Sequence, residues 1–176
     1  MDARGKEDER GKHPAFESIP LSEIDKYMQA AKAEGKFVYI ADMHGNCHHF
    51  FTYSAAYPPF EFGTEVKKVI VHKKQTPAEA AEATRKAMVM KMRTGAHMIF
   101  HMETLVPEME KYDSPNFPIK DLIFKREKLM TDYKQIVKPD EDHDLAGNKG
   151  LFSMHSDFNL GILFNMSDPD TDDEIL

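Results

Sequence analysis

The pattern of apolar and polar positions is clearest between residues 76 and 102, where it predicts one helix that leads directly into one buried strand. Thr76, Pro77 and Glu79 have the order of a capping box with proline at the first helical position. Gly95 is the predicted left-handed stop of this helix, and the apolar run at 98–100 is the predicted strand. A helix joined to a buried strand through one glycine is typical of α/β proteins.

The rest of the chain continues this alternation of helices and strands. Helical spacing occurs at 22–34, where Ser22 is the predicted cap and Gly35 the stop, and at 122–133. Short runs rich in apolar and β-branched residues predict strands at 36–41, 66–72 and 158–164. The order strand, helix, strand over 66–102 predicts a βαβ crossover, whose two strands are parallel neighbours.

Three stretches have no clear period. Residues 57–63 are predicted to form a loop, because Pro58 and Pro59 remove two backbone donors, and 138–150 is a polar loop. Residues 42–54 fit either a helix after a turn at Gly45-Asn46 or a second strand, and periodicity does not decide between the two.

Length and composition predict one cytoplasmic domain. The 176 residues divide into a charged arm at 1–15, a single domain at 16–167 and an acidic tail at 168–176. A net charge of −7 works against binding to nucleic acid or to an anionic membrane surface. One cysteine, Cys47, fits a reducing compartment, and neither a membrane span nor a signal segment is predicted.

The densest group of potential metal ligands lies between the first predicted strand and the 57–63 loop. A thiolate and imidazoles suit zinc or another borderline metal, and this group consists of His44, Cys47, His48 and His49. Adjacent His48 and His49 point apart in a helix and in a strand alike, so a turn whose histidines cap, hydrogen-bond or face solvent is favoured. No bound metal is predicted.

The remaining chemical motifs are incomplete. His97 and His101 share a face but lack the glutamate of the His-Glu-x-x-His pattern, so they are predicted to be core or interface histidines. The acidic runs at 140–144 and 168–174 lack the glycine and glutamate that a calcium loop needs. No glycine-rich loop with a lysine follows the strand predicted at 36–41, so no nucleotide or other cofactor is predicted.

Two stretches resemble parts of the degenerate AAA+ modules of dynein heavy chains. Residues 83–102 are similar to the helix, glycine and apolar strand that lead into the Walker B region, and 155–165 are similar to the later sensor strand. The resemblance implies a three-layer fold of P-loop type. The Walker A glycines and lysine are absent, and His101-Met102-Glu103 stands where the acidic Walker B pair would be. What the resemblance implies is a scaffold that has lost nucleotide hydrolysis, with Glu103 as its one remaining carboxylate.

These observations predict a mostly parallel α/β sheet with helices on both faces and no catalytic site. The predicted function is that of a structural or adaptor subunit in a larger cytoplasmic assembly, such as the ciliary axoneme. Its partners are predicted to be other proteins, contacted through Tyr57, Phe60 and Phe62. The alternative is a metal- or nucleotide-binding enzyme that uses the mouth of the sheet around 44–49, with Asp42 and Glu103 at strand ends.

Overall fold

The computed structural model describes residues 17–166, which form a four-stranded parallel sheet with helices on both faces. The α/β class is therefore confirmed. The regular elements are α1 (Ile24–Ala33), β1 (Val38–Asp42), α2 (Asn46–Thr52), β2 (Pro59–Phe60), α3 (Phe62–Ile70), α4 (Pro77–Thr94), β3 (Met98–His101), α5 (Arg126–Asp132) and β4 (Leu160–Asn165). Short 3₁₀ turns at Leu21–Glu23, Met109–Tyr112 and Tyr133–Ile136 and a π-helical turn at Ile119–Ile123 complete the list. No helix among residues 17–166 has the length and apolar character needed to cross a membrane.

The strand order is β1-β4-β3-β2, so β3 and β4 are central and the other two strands form the edges. All three pairings are parallel, with Val38 opposite Gly161, Met98 opposite Leu160 and Pro59 opposite Ile99. Because the strands run the same way, all four carboxyl ends meet at one edge of the sheet.

The two faces of the sheet have separate cores. Met98 and Phe100 of β3 pack into the larger core, which α3, α4, α5 and the segment around Phe152 cover. Ile99 packs on the opposite face in a smaller core with α1 and α2. This division follows from the two-residue period of a strand, which sends alternate side chains to opposite faces.

Helix α4 forms as predicted. The Thr76 side chain accepts from the Glu79 amide, and the Glu79 carboxylate accepts from the Thr76 amide, which completes the capping box. Gly95 ends the helix with a φ of 82°, a left-handed conformation that glycine adopts without strain.

The strand predicted at 66–72 is wrong, because α3 occupies Phe62–Ile70. Phe62 and Val66 are buried one helical turn apart, whereas Ile70 is 53% and Val71 63% exposed, which is a helical pattern of burial. A crossover into β3 does exist, but its first strand is β2, a two-residue strand inside the predicted 57–63 loop. Proline is tolerated there because β2 is an edge strand.

The structure confirms some of the other predictions and corrects others. Residues 42–54, for which the sequence allowed either a helix or a strand, contain helix α2. The strands predicted at 36–41 and 158–164 are observed as β1 and β4. Ser22 does not cap α1, whose N-cap is Glu23 without a side-chain bond, and only part of 122–133 is the regular helix α5. The predicted arm at 1–15 and tail at 168–176 lie outside the described residues.

A buried arginine joins α4 to the segment that follows α5. Arg85 is fully buried, and its guanidinium donates to the carboxylates of Glu82 and Glu141 at 2.8 Å and to the Ile136 carbonyl. Arginine suits this position because its planar fork donates to two carboxylates at once.

We expect Arg85→Met to lower the free energy of unfolding by about 3 kcal/mol, because it leaves two carboxylates and a buried carbonyl without their donor. Urea unfolding followed by circular dichroism measures this loss. Lys86→Met is the matched control, since Lys86 is exposed on the same helix and should change stability by less than about 0.5 kcal/mol. Equal effects of the two substitutions would contradict a structural role for Arg85.

The same network predicts how stability depends on acid. Hydrogen bonds from Arg85 lower the pKa of Glu82 to about 2, from an ordinary 4.5. Burial raises the pKa of Glu141, but bonding to Arg85 outweighs it and the net shift is downward. Carboxylates with a lowered folded-state pKa stabilise the fold above their unfolded pKa, and this stabilisation is lost as pH falls through the folded value.

We therefore expect the free energy of unfolding to decrease as pH falls from 4.5 toward 2, the window between the ordinary and the lowered pKa of Glu82. Urea titrations at several pH values across this window measure the slope. In Arg85→Met the slope should be shallower, because the two carboxylates lose their main partner. An unchanged slope in that variant would assign the acid sensitivity to other groups.

Candidate metal centre

The carboxyl edge of the sheet brings together polar side chains from three separate strands. β1 ends at Asp42, β3 ends at His101, and Glu61 directly follows β2. In parallel α/β sheets ligands bind outside the carboxyl ends of the strands, so a binding site is expected at this edge.

Strand pairing and one glycine determine where Glu61 lies. Phe60 pairs with Phe100, so the next residue of each strand, Glu61 and His101, are neighbours. Gly63 then lets the start of α3 approach β3 closely, because a Cβ there would lie 2.7 Å from the Met102 carbonyl oxygen. No real side chain tolerates that distance to a backbone atom, so Gly63 is needed for the approach.

His48 reaches the same point from helix α2. Gly45 begins the helix with a φ of 72°, and the Asp42 carboxylate accepts from the amides of His44 at 3.1 Å and Cys47 at 2.7 Å. These bonds fix the first turn of α2 over the sheet. In the same first turn, the His48 ring stacks on the His101 ring, with centroids 4.1 Å apart and planes inclined by 22°.

The three side chains form one connected group. Glu61 Oε1 lies 2.8 Å from His48 Nε2, and Glu61 Oε2 lies 2.6 Å from His101 Nδ1. One ligand atom from each residue lies within 4.8 Å of the other two. The His101 side chain is only 5% exposed, whereas His48 is 30% and Glu61 44% exposed, so the group is anchored in the core and open on one side.

The charges in this group favour an ionised carboxylate. Burial raises the pKa of Glu61, but hydrogen bonds from His48 and His101 outweigh it, so the pKa of Glu61 is below its usual value of 4.5. The carboxylate is thus available as an anionic ligand at neutral pH.

The far side of His101 carries an unpaired polar atom. Its Nε2 is buried and has no hydrogen-bond partner within 17–166, and the same is true of Asn165 Oδ1 on the neighbouring strand. His101 pairs with Leu163, so Asn165, two residues further along β4, belongs to the same face of the sheet. Unpaired buried polar groups are rare in folded proteins, and a ligand at this edge would be one way to pair these two.

The structure brings only one of the four predicted ligand candidates into this group. His44 and His49 are exposed and do not belong to the group, and the His48 and His49 ring planes are inclined by 58° with centroids 6.2 Å apart. Burial raises the pKa of the Cys47 thiol to about 12, which disfavours the thiolate that binds metal.

The predicted interaction residues do not form an exposed loop. Tyr57 is 2% exposed and Phe62 is fully buried, and Phe60 packs against the larger core. Tyr57 faces Phe51 and the hydroxyl accepts from Gln29, so it serves the smaller core. The prediction that these aromatic side chains meet a partner is corrected: the chain packs them against itself.

Sequence reasoning missed Glu61 and gave His101 no partner. The signal that was available is their placement at strand ends, which requires knowing that β2 exists. Glu103, the other strand-end carboxylate considered, is engaged elsewhere, because it pairs with Lys67 and accepts from the Thr64 hydroxyl at 3.1 Å.

Comparison with protein-family models, with curated proteins and with solved structures found no match for this chain. The resemblance to degenerate AAA+ modules therefore stays a prediction.

We expect Gly63→Ala to destabilise the fold by about 1–3 kcal/mol, because its Cβ would push α3 away from the Met102 backbone. The displacement also separates Glu61 from His101, so the His101 ring resonances should shift in NMR spectra of the folded variant. Thr64→Ala is the control one position along the helix. Thr64 is exposed, so this substitution adds no atom against the Met102 backbone. A Gly63→Ala protein with wild-type stability and unshifted resonances would show that the close approach is not required.

Proposed function

We propose that this chain binds one divalent transition-metal ion through His48 Nε2, His101 Nδ1 and a carboxylate oxygen of Glu61. The observation that carries the proposal is that one ligand atom from each of these three residues lies within 4.8 Å of the other two, at the carboxyl edge of the sheet. They come from three different elements, so the group exists only in the folded protein.

The ligand types indicate which ions suit the group. Imidazole and carboxylate ligands are those of zinc and of non-haem iron(II), and two histidines with one carboxylate are the three-ligand set of sites that keep open positions. Structural zinc sites, in contrast, are closed by four protein ligands. The half-exposed Glu61 leaves room for a further ligand from solvent, so the set is of the catalytic type.

The hydrogen bonds within the group give the proposal a pH dependence. Metal ligands bind in their deprotonated forms, so protons compete with the metal ion for the carboxylate and the two imidazoles. Affinity therefore falls as pH decreases.

The alternative of nucleotide binding is supported less well by the same edge. In a phosphate loop, amides after the first strand receive the phosphates. Here the Asp42 carboxylate already accepts from the amides of His44 and Cys47. A phosphate at this position would have to displace a buried internal anion.

The second candidate function is the predicted structural or adaptor role in a larger assembly, on a framework of P-loop-like type. One observation favours it: β1 is an edge strand that carries Tyr39, 55% exposed, and leads into Met43, 60% exposed. Exposed apolar side chains on a strand edge are typical of protein contacts. A cytoplasmic or axonemal location stays a prediction.

We expect the metal-free protein to bind one equivalent of Zn²⁺ in isothermal titration calorimetry at neutral pH. His48→Gln and Glu61→Gln should each weaken binding at least about tenfold, because each removes one of three ligands. Both side chains are partly exposed, so the variants should remain folded by circular dichroism. Co²⁺ titrations followed by visible absorption report the coordination geometry independently.

His49→Gln is the matched control, because it makes the same change on the same helix at an exposed histidine outside the group. It should bind Zn²⁺ with wild-type affinity. Failure of the wild-type protein to bind Zn²⁺, Fe²⁺, Co²⁺ or Mn²⁺, or equal losses in His49→Gln and His48→Gln, would overturn the proposal.

A further inference from the structure

The two ring nitrogens of His101 face different neighbouring strands. Nδ1 lies 2.6 Å from Glu61 Oε2, and Glu61 directly follows β2, so this nitrogen faces the β2 side of β3. The two nitrogens of an imidazole stand on opposite sides of the ring, so Nε2 faces the other neighbour of β3, which is β4. Nε2 is buried there and has no hydrogen-bond partner among residues 17–166.

Strand β4 presents two side chains on this face near its carboxyl end. Leu163 pairs with His101 and is fully buried in the smaller core, so its side chain offers no acceptor. Asn165 lies two positions later and therefore on the same face, and diagonal neighbours on adjacent strands are within reach of long side chains. The Oδ1 atom of Asn165 is buried and has no partner in the described part of the chain. It is the polar atom that β4 offers to Nε2.

Backbone bonds hold Asn165 beside His101 without using its Oδ1. The Asn165 main-chain amide donates to the Glu103 carbonyl, which keeps the end of β4 next to the end of β3. On the other side Asn165 pairs with Asp42, whose two carboxylate oxygens already accept from the amides at the start of α2. Asp42 therefore does not compete for the His101 ring.

The bond to Glu61 explains why His101 Nε2 and Asn165 Oδ1 do not pair in this structure. An ionised carboxylate can only accept, so Nδ1 of the neutral ring carries the ring proton and donates it to Glu61. Nε2 then presents a lone pair, and so does the amide oxygen of Asn165. Two acceptors do not hydrogen-bond to each other. The same two atoms form a bond once the ring proton is on Nε2.

Metal ligation by Nδ1 puts the ring proton on Nε2. This step rests on the proposed function, in which His101 Nδ1 is a ligand. A neutral imidazole that gives one nitrogen to a metal carries its proton on the other, and in metal sites that N–H is almost always donated to an acceptor that fixes the orientation of the ring.

We propose that Asn165 is the positioning residue of the metal site, and that its Oδ1 accepts a hydrogen bond from His101 Nε2–H when a divalent transition-metal ion is bound. Asn165 does not contact the ion and acts only through His101. A side-chain amide suits this place because it can serve both forms of the ring: a half-turn presents its NH₂ group to Nε2 as a donor, in place of its oxygen as an acceptor.

The first test measures Zn²⁺ affinity of the full chain by isothermal titration calorimetry. Asn165→Leu keeps the size of the side chain but removes the acceptor, and we expect the dissociation constant to rise at least about tenfold, as is usual when such an outer partner is lost. Asn159→Leu is the matched control. Asn159 is the asparagine with a buried, unpaired Oδ1 at the opposite end of β4, on the same face. It should bind Zn²⁺ with wild-type affinity.

The second test uses the unmodified chain and two-bond ¹H–¹⁵N NMR spectra, which show which nitrogen of a histidine ring carries the proton. We expect His101 to carry it on Nδ1 without metal and on Nε2 after an equimolar amount of Zn²⁺ is added. The Nε2–H proton should then exchange slowly with water, because it is buried and bonded to Asn165. In Zn²⁺-loaded Asn165→Leu it should exchange faster, a change that a purely structural role of Asn165 would not produce.

The outcomes separate this inference from the proposed function. Zn²⁺ binding that requires His48 and Glu61 but is unchanged in Asn165→Leu would overturn the role of Asn165 and leave the metal site standing. A Zn²⁺-loaded wild type in which His101 Nε2 carries no proton would do the same. Failure of the wild type to bind any of the ions named above would overturn both.

Discussion

The carboxyl edge of the sheet depends on the burial of β3 on both of its faces. Met98 and Phe100 fill the larger core while Ile99 fills the smaller one, and each is fully buried. Full burial of an apolar side chain of this size contributes roughly 1.5–3 kcal/mol, so three of them specify the register strongly. A slip by one residue would move every side chain to the opposite face. His101 therefore occupies its place beneath α2 because its neighbours pack well, and its own polar contacts contribute little to the choice.

Local signals in the sequence were sufficient where an element carries its own start and stop. Helix α4 has both, in the Thr76 capping box and in Gly95, and it was predicted to the residue. Helix α3 has neither, since its N-cap Glu61 makes no side-chain cap bond and its apolar residues Val69-Ile70-Val71 resemble a β-branched strand. Strand β2 has only two residues and begins with proline, so no local sequence pattern predicts it. Its existence depends on β3 being available beside it.

The candidate site, like β2, could not be predicted from local sequence patterns. The sequence drew attention to four ligands within six positions, yet the group that forms joins His48 to Glu61, 13 positions away, and Glu61 to His101, 40 positions away. Spacing arguments detect ligands on one element, whereas this group is assembled by parallel pairing and by the approach of α2 to the sheet. Of the two adjacent histidines only His48 joins the group, and His49 is exposed outside it. Nothing in the local pattern could supply Glu61, because its position follows from β2.

The distribution of carboxylates at this edge is the reason that we propose a cation there and not a phosphate. The helix N-termini that face the carboxyl ends of parallel strands are the usual sites for phosphate, because their free amides attract anions. In this chain Asp42 occupies that position on α2, and Glu103 bonds Thr64 and Lys67 on the first two turns of α3. The amides at the start of α2 and the Lys67 ammonium group are therefore already paired with carboxylates of the chain itself. What stays open to solvent is Glu61, an ionised carboxylate between two imidazoles, and such a group attracts a metal ion and repels an anion.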